Sequence, residues 1–328
     1  MIAATRLIDG PIIGPELDAS IGVNIQGPSL IKVPDWVEDP LGKYYLYFAD
    51  HKGSYIRLAY ADQLTGPWQI HVPGSLQLAD SCFPSQTLSG TTEQIATARK
   101  YVANNKMAHD AVYEMQTPHI ASPDVHVDLK NHRIVMYFHG LESFGLQRSR
   151  VAMSQDGIRF VARPEIIGRT YMRVFHHRKH YYSLAMPGVF YRSLNGLSGF
   201  EKGPTLFEPD MRHCAVLKRG NKLHVFWTQA RDIPERILLT TIDISDDWHH
   251  WTSEGEVDVL KPERDWEGAD APLEPSIRSV AYGHVNQLRD PAIFEENDRV
   301  YLLYAVAGES GDRDRRTNRC VSERCSGS

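Results

Sequence analysis

The stretch His119–Gly140, HIASPDVHVDLKNHRIVMYFHG, decides the fold. It reads as a short strand (Val125 to Val127), a polar turn (Asp128 to His132) and a second strand (Ile134 to Phe138) rich in the β-branched and aromatic residues that suit a pleated sheet. Polar residues collect at its two ends. Asp124 opens the first strand after Pro123 and His139 closes the second, so a hairpin brings both to its open end, away from the turn.

The same order recurs along the chain. Gly27-Pro28 precedes SLIKV, and YYLYF (Tyr44 to Phe48) ends at Asp50 and His51; two more strands follow, from Ile56 to Tyr60 and from Trp68. After Gly140 come Arg150 to Met153 and Arg159 to Ala162. Further copies begin at Tyr171, at Arg212 and at Leu288, the last with LRDPAIFEENDRVYLLYAV. Five repeats of roughly forty to fifty residues, each a four-stranded meander, predict an all-β, five-bladed β-propeller, because one such sheet cannot bury both faces alone. Two insertions interrupt the series: residues 84–115, with a helix expected over 91–105, and the Pro-, Glu- and Asp-rich residues 255–286.

A single domain is expected over residues 1–311. From Asp312 the chain reads DRDRRTNRCVSERCSGS, too polar to build a core, and a disordered tail that packs against nothing is expected there. The fifth repeat then lacks outer strands, and a strand near Arg6 to Ile8 is the candidate to complete it and close the ring.

Composition narrows the partners. The 328 residues are 42% apolar and 23% charged, with a net charge of −5, which fits a soluble globular protein and argues against nucleic acid or an anionic lipid surface. No apolar run reaches membrane-spanning length. The four cysteines have no metal-site spacing and suggest no disulfide framework, so a reducing cytoplasm is expected.

In a propeller the starts of first strands and the ends of second strands share one rim. First-strand starts place Asn24, His119, Asp124, Arg173, Arg212, His213, Arg289 and Asp290 there; second-strand ends add Asp50, His51, His139, Glu142, Arg231 and Glu309. Such a mixture of donors and acceptors suits a polyhydroxylated ligand, although an Asp ahead of a strand can equally cap a turn. His119, His139 and His213 come from different repeats, but no pair has metal-binding spacing, and neither a metal nor a cofactor is expected.

Ser122-Pro123-Asp124-Val125, the Gly27-Pro28-Ser29 start with Tyr44-Tyr45-Leu46-Tyr47, and Arg289-Asp290-Pro291 together resemble glycoside hydrolase family 43 and its relatives, over about residues 20–309. The resemblance implies a five-bladed propeller, a carbohydrate ligand in the axial funnel, and three carboxylates: a general base, a positioning Asp and a general acid. The match is incomplete. Gly27 stands where the first blade usually presents the base, and Met211-Arg212-His213-Cys214 offers no Glu. Asp124, Asp290 and Glu274 are the catalytic candidates, with Glu142 and Glu309 competing for the acid; the other rim residues bind substrate, and His139 and Arg173 are the expected neighbours of Asp124. A non-catalytic sugar-binding propeller and a protein-interaction scaffold are the alternatives.

Overall fold

The computed structural model describes residues 4–105, 110–281, 283–309 and 319–324. Four of its sheets are each built from four consecutive antiparallel strands. The first contains Gln26–Lys32, Tyr44–Ala49, Arg57–Ala61 and Gln69–His71; the second Ile120–Asp128, Arg133–Ser143, Leu146–Ser154 and Val161–Ala162. The third contains Arg173–His177, His180–Ala185, Val189–Ser193 and Glu201–Thr205; the fourth Met211–Arg219, Lys222–Gln229, Ile237–Asp243 and Thr252–Leu260. A further sheet is composite: Arg289–Glu296 pairs with Arg299–Ala305, that strand with Arg319–Arg324, and that one with Thr5–Arg6.

The arrangement is an all-β propeller. The first strand of the first sheet packs against those of the second and the composite sheet, and the first strand of the fourth packs against those of the third and the composite sheet. Apolar cores fill the gaps between consecutive sheets. Tyr47, Leu58, Ile120 and Phe138 join the first to the second, Val151 and Val174 the second to the third, and Leu184 and Trp227 the third to the fourth. Leu239 and Leu302 join the fourth to the composite sheet, and Leu46 and Phe294 join that sheet back to the first. Burial on both faces explains why YYLYFA, fully buried, lacks the alternation of a half-exposed strand. Each large apolar side chain removed from water stabilises the stack by about 1.5–3 kcal/mol.

One register runs through the inner hairpins of the five sheets. Tyr45, Val135, Tyr182, Val225 and Tyr301 sit opposite Ile31, His126, Phe175, Val216 and Phe294, at one equivalent position of each second strand. Three details differ from the sequence reading. The insertion expected at 255–286 starts later, because residues 255–260 complete the strand Thr252–Leu260. The first insertion carries a second helix: α1 spans Thr92–Asn105 and α2 Ala111–Gln116, the latter capped by the Asp110 side chain on the Val112 N–H. Residues 319–324 form a strand instead of packing against nothing, because unpaired backbone along Arg299–Ala305 offers a ladder that needs no apolar side chains. The rest of the expected tail lies outside the described residues.

One buried carboxylate ties the outermost strand to the second insertion. Glu267 accepts from Arg6 Nε and Nη2, each at 2.8 Å, from the Tyr304 hydroxyl at 2.9 Å, and from the backbone N–H groups of Glu263 and Arg264. Among the described residues no helix is long and apolar enough to cross a membrane.

Candidate functional site

A recurring irregularity builds the rim. In four of the sheets the pairing of first and second strands slips near its start, between Gln26 and Ser29, Ala121 and Asp124, Met211 and Cys214, and Arg289 and Ala292. Such bulges re-aim side chains where the ladder breaks. Gly27, Ser122 and Asp290 each precede a proline in this kink with φ of 62°, 51° and 50°, and Tyr171 holds φ 61° just before the third sheet. The residue two places further along reaches the next sheet instead. Ser29 Oγ accepts from the Val125 N–H at 2.8 Å, Asp124 Oδ2 from the Val174 N–H at 2.8 Å, and Arg173 Nε donates to the Cys214 carbonyl at 3.0 Å.

Asp290 is therefore the carboxylate aimed at the axis from these kinks, while Asp124 is an inter-sheet tie. Asp290 Oδ1 accepts from the Tyr171 hydroxyl at 2.7 Å and lies 3.3 Å from His213 Nδ1. Neither Asp290 Oδ2 nor His213 Nδ1 has a hydrogen-bond partner, although both are buried. A buried polar group without a partner costs about 1–3 kcal/mol, so a water, an ion or a ligand atom is the natural partner for these two. Glu309 completes the group: Oε1 accepts from Arg289 Nη1 at 2.8 Å, and Oε2 lies 3.2 Å from His51 Nδ1 and 3.4 Å from Asn24 Nδ2. Arg212 and Arg289 also share Glu235 at 3.2 and 3.3 Å.

The two neighbouring carboxyls are driven apart in acidity. Burial raises Asp290 to about 7, with the charge of Glu309 adding to the effect and Tyr171, Arg212 and Arg289 opposing it. Burial also pushes Glu309 upward, but His51, Arg289 and His213 outweigh it and hold the group well below its ordinary range. His119, His139 and His213 are all depressed, chiefly by burial, and stay neutral. Lys52 is lowered to about 8 by burial, against the pull of Glu114, Glu309 and Asp50.

The insertions cover this cluster. The Ser279 carbonyl accepts from Arg212 Nη2 at 3.1 Å and Arg289 Nη1 at 3.0 Å, while its hydroxyl faces both Glu114 oxygens on α2 at 2.9 and 2.7 Å. Asp290, Glu309 and Arg289 are each only 1% exposed beneath this cap.

The structure brings together Asn24, His51, Arg212, His213, Arg289 and Asp290 of the expected set, with His119 and His139 as a nearby edge-to-face pair at 6.3 Å. It does not bring the others. Glu274 is exposed on the second insertion and makes no hydrogen bond or ion pair with the cluster among the described residues. Arg231 points outward, its side chain 74% exposed, toward Asp210. Asp50 caps the Lys52 N–H and pairs with Arg57 at 3.3 Å, and Glu142 pairs with Arg150. Asp124 has Arg173 as a charged neighbour, as expected, but not His139, which opposes Ala121 across the kink. Sequence reasoning misses Tyr171 and Glu235; both lie in loop sequence, where only a fold-level register could have signalled them.

His213, Asp290 and Glu309 offer ligand atoms within 4.8 Å of one another, close enough to hold a metal ion. Asp290 Oδ2 and His213 Nδ1 are unpartnered there, but a cation would have to compete with two guanidinium groups for the carboxylates. Oδ1 of Asp290 and both oxygens of Glu309 already face internal partners, and Arg212 and Arg289 supply the positive charge.

Arg173 stands beneath the cluster. It donates to the Pro123 and Cys214 carbonyls of the sheets on either side, at 2.9 and 3.0 Å, and its guanidinium lies 4.3 Å from the Tyr171 ring. Below it the axis opens into a cavity of about 650 Å³ toward the face of the Asp128–His132 turn, and none of Asn24, His51, His213, Asp290 or Glu309 lines it.

The propeller fold is shared with glycoside hydrolases of known structure. A thermostable family-43 glycoside hydrolase superposes with a TM-score of 0.55 at 12% identity, over 91% of this chain and 89% of that one. A putative glycoside hydrolase from Parabacteroides distasonis ATCC 8503 gives 0.59 at 10% identity over 98% and 96%, and the GH43_1 enzyme from Xanthomonas citri complexed with xylotriose gives 0.55 at 11% over 98% and 89%. At these identities the likeness is one of fold. No family model matches the sequence. Uncharacterized protein R118 of Acanthamoeba polyphaga mimivirus is 33% identical over 327 residues, covering 91% of this chain and 85% of that protein, and the chain belongs to its family.

Proposed function

We propose that the protein binds a carbohydrate on the propeller axis and acts on a glycosidic bond, with Asp290 as the proton donor and Glu309 as the ionised carboxylate. The observation that carries this reading is the pair itself: two carboxyls with oxygens within 4.8 Å, one raised to about 7 and the other lowered. Glycoside cleavage requires that division of labour, an acid still protonated near neutrality beside an anion. Asn24, His51, Arg212 and His213 supply directional polar contacts, and neutral His213 can accept as well as donate. In this reading Asp124 and Glu274 have no catalytic role, the composite sheet serves as the fifth blade, and the protein works in the cytoplasm.

A panel of nitrophenyl pentosides and hexosides tests the assignment. Turnover by the parent, lost by about a hundredfold or more in both Asp290→Asn and Glu309→Gln at unchanged fold, is the expected result. Full activity in Asp290→Asn would overturn it.

One observation favours a second reading, sugar binding without hydrolysis. A side chain at Gly27 would place its Cβ 2.8 Å from Ser122 Cα, so the first sheet has no room for the base expected there. Saturable binding of an oligosaccharide with no turnover would select this reading.

A further inference from the structure

The cavity on the far side of Arg173 is independent of the buried cluster. All five first strands contribute to it, and its walls include Val33, Val125, Val127, Val216 and Ile293. One polar pair faces it from within. His126, its side chain 43% exposed, lies with Nε2 2.8 Å from Asp124 Oδ2, and the same oxygen accepts the Val174 N–H at 2.8 Å. The carboxylate is thereby fixed, and it fixes the imidazole in turn. Nε2 donates its N–H to the Asp124 carboxylate, which, against burial, favours a second proton on the ring; in that protonated form His126 Nδ1, with no hydrogen-bond partner among the described residues, is a donor facing the cavity, and Arg173 Nη2 on the same lining is unpartnered too.

Charge selects what that donor can hold. Asp124 is matched by His126 and by Arg173 behind it. Lys32 is paired with Glu296 at 2.9 Å and Glu295 with Arg219, so neither is free, while Asp35, also on the lining, is exposed to solvent that screens its charge. An amine entering the cavity would meet the Arg173 guanidinium and the His126 ring, whose protonation Asp124 favours against burial. A polyol would find aliphatic walls where it needs a second set of partners. An acceptor group on an apolar body meets neither penalty, and the volume lies in the range of small-molecule sites.

We propose that this cavity is a binding site for a small organic carboxylate with an apolar body, the carboxylate accepting from His126 Nδ1 and the body lying along the valine walls. Asp124 is a positioning residue for that contact.

Isothermal titration calorimetry of the full chain with sodium 3-phenylpropionate, and with 3-phenylpropanamide as its neutral counterpart, tests the site. Saturable one-to-one binding is expected, weakened about tenfold for the amide and for His126→Leu, as befits loss of one charge-assisted hydrogen bond. Ile293→Trp, which fills the cavity without touching the polar pair, should abolish binding while His126→Leu and Ile293→Trp both melt near the parent temperature. Asp290→Asn should bind as the parent does, which separates this site from the glycosidase reading. No saturable heat from the parent up to about 10 mM, a level well above ordinary small-ligand dissociation constants, overturns the proposal. So does unweakened binding by His126→Leu or by Ile293→Trp.

Discussion

Asp290 and Asp124 look alike in the sequence, each beside a proline at the start of an inner strand, yet they do opposite work. The kink places the residue before the proline toward the axis, which is Asp290 in one sheet but Ser122 in the other, and leaves Asp124 two positions on, tied to the next sheet. Sequence shows the proline and the carboxylate; it does not show which side of the bulge the carboxylate occupies. Asp290 also makes stability depend on pH. Its carboxyl titrates near 7 in the folded protein against 3.8 for the ordinary group, so the folded state favours the proton, and the associated stability is present at low pH and lost as pH rises through 7. Asp290→Asn, which cannot ionise, should therefore match the parent near pH 4 and exceed it by a few kcal/mol at pH 8, since each pH unit between the folded and unfolded titrations is worth about 1.4 kcal/mol; denaturant titrations at the two pH values measure the difference. Asp124→Ala should cost about 3 kcal/mol at pH 7, since it strands the Val174 N–H and leaves Arg173 without its neighbour; a midpoint unchanged in urea would show the tie to be idle. Gly27→Ala, with φ at 62° and Cβ driven against Ser122, should lose a comparable amount.

At the scale of the element, hairpins were the most legible feature because both their strands are buried and their turns are polar. Tyr45, Val135, Tyr182, Val225 and Tyr301 occupy equivalent positions because each hairpin repeats that pattern. Elements stabilised by backbone pairing or by one buried charge were not legible. The strand Arg319–Arg324 lies in arginine-rich sequence, and Glu267 sits in a Pro-, Glu- and Asp-rich insertion where nothing separates it from its exposed neighbours until Arg6 and Tyr304 are brought to it from elsewhere in the chain. Glu267→Ala leaves Arg6 short of its main partner and should destabilise the protein by about 3–5 kcal/mol, read as a lowered midpoint in urea; Glu263→Ala, at the exposed end of the same contact, should cost well under 1 kcal/mol.

For the whole molecule, repetition made the propeller readable, since each copy repeats the need to bury two faces, whereas the cap was not, because its contacts join residues as distant as Glu114 and Ser279. The ion pairs within the cluster predict indifference to divalent cations: addition of calcium or of a chelator should leave the melting temperature unchanged, and a rise of several degrees with calcium would show that His213, Asp290 and Glu309 take a cation after all. Arg173 bears on how the two faces of the ring can be used. Bonded to the sheets on both sides and lining the cavity, it stands as a bulkhead behind the cluster. Its guanidinium is a charged neighbour of both Asp290 and Asp124, so an electric field joins the buried cluster to the open cavity.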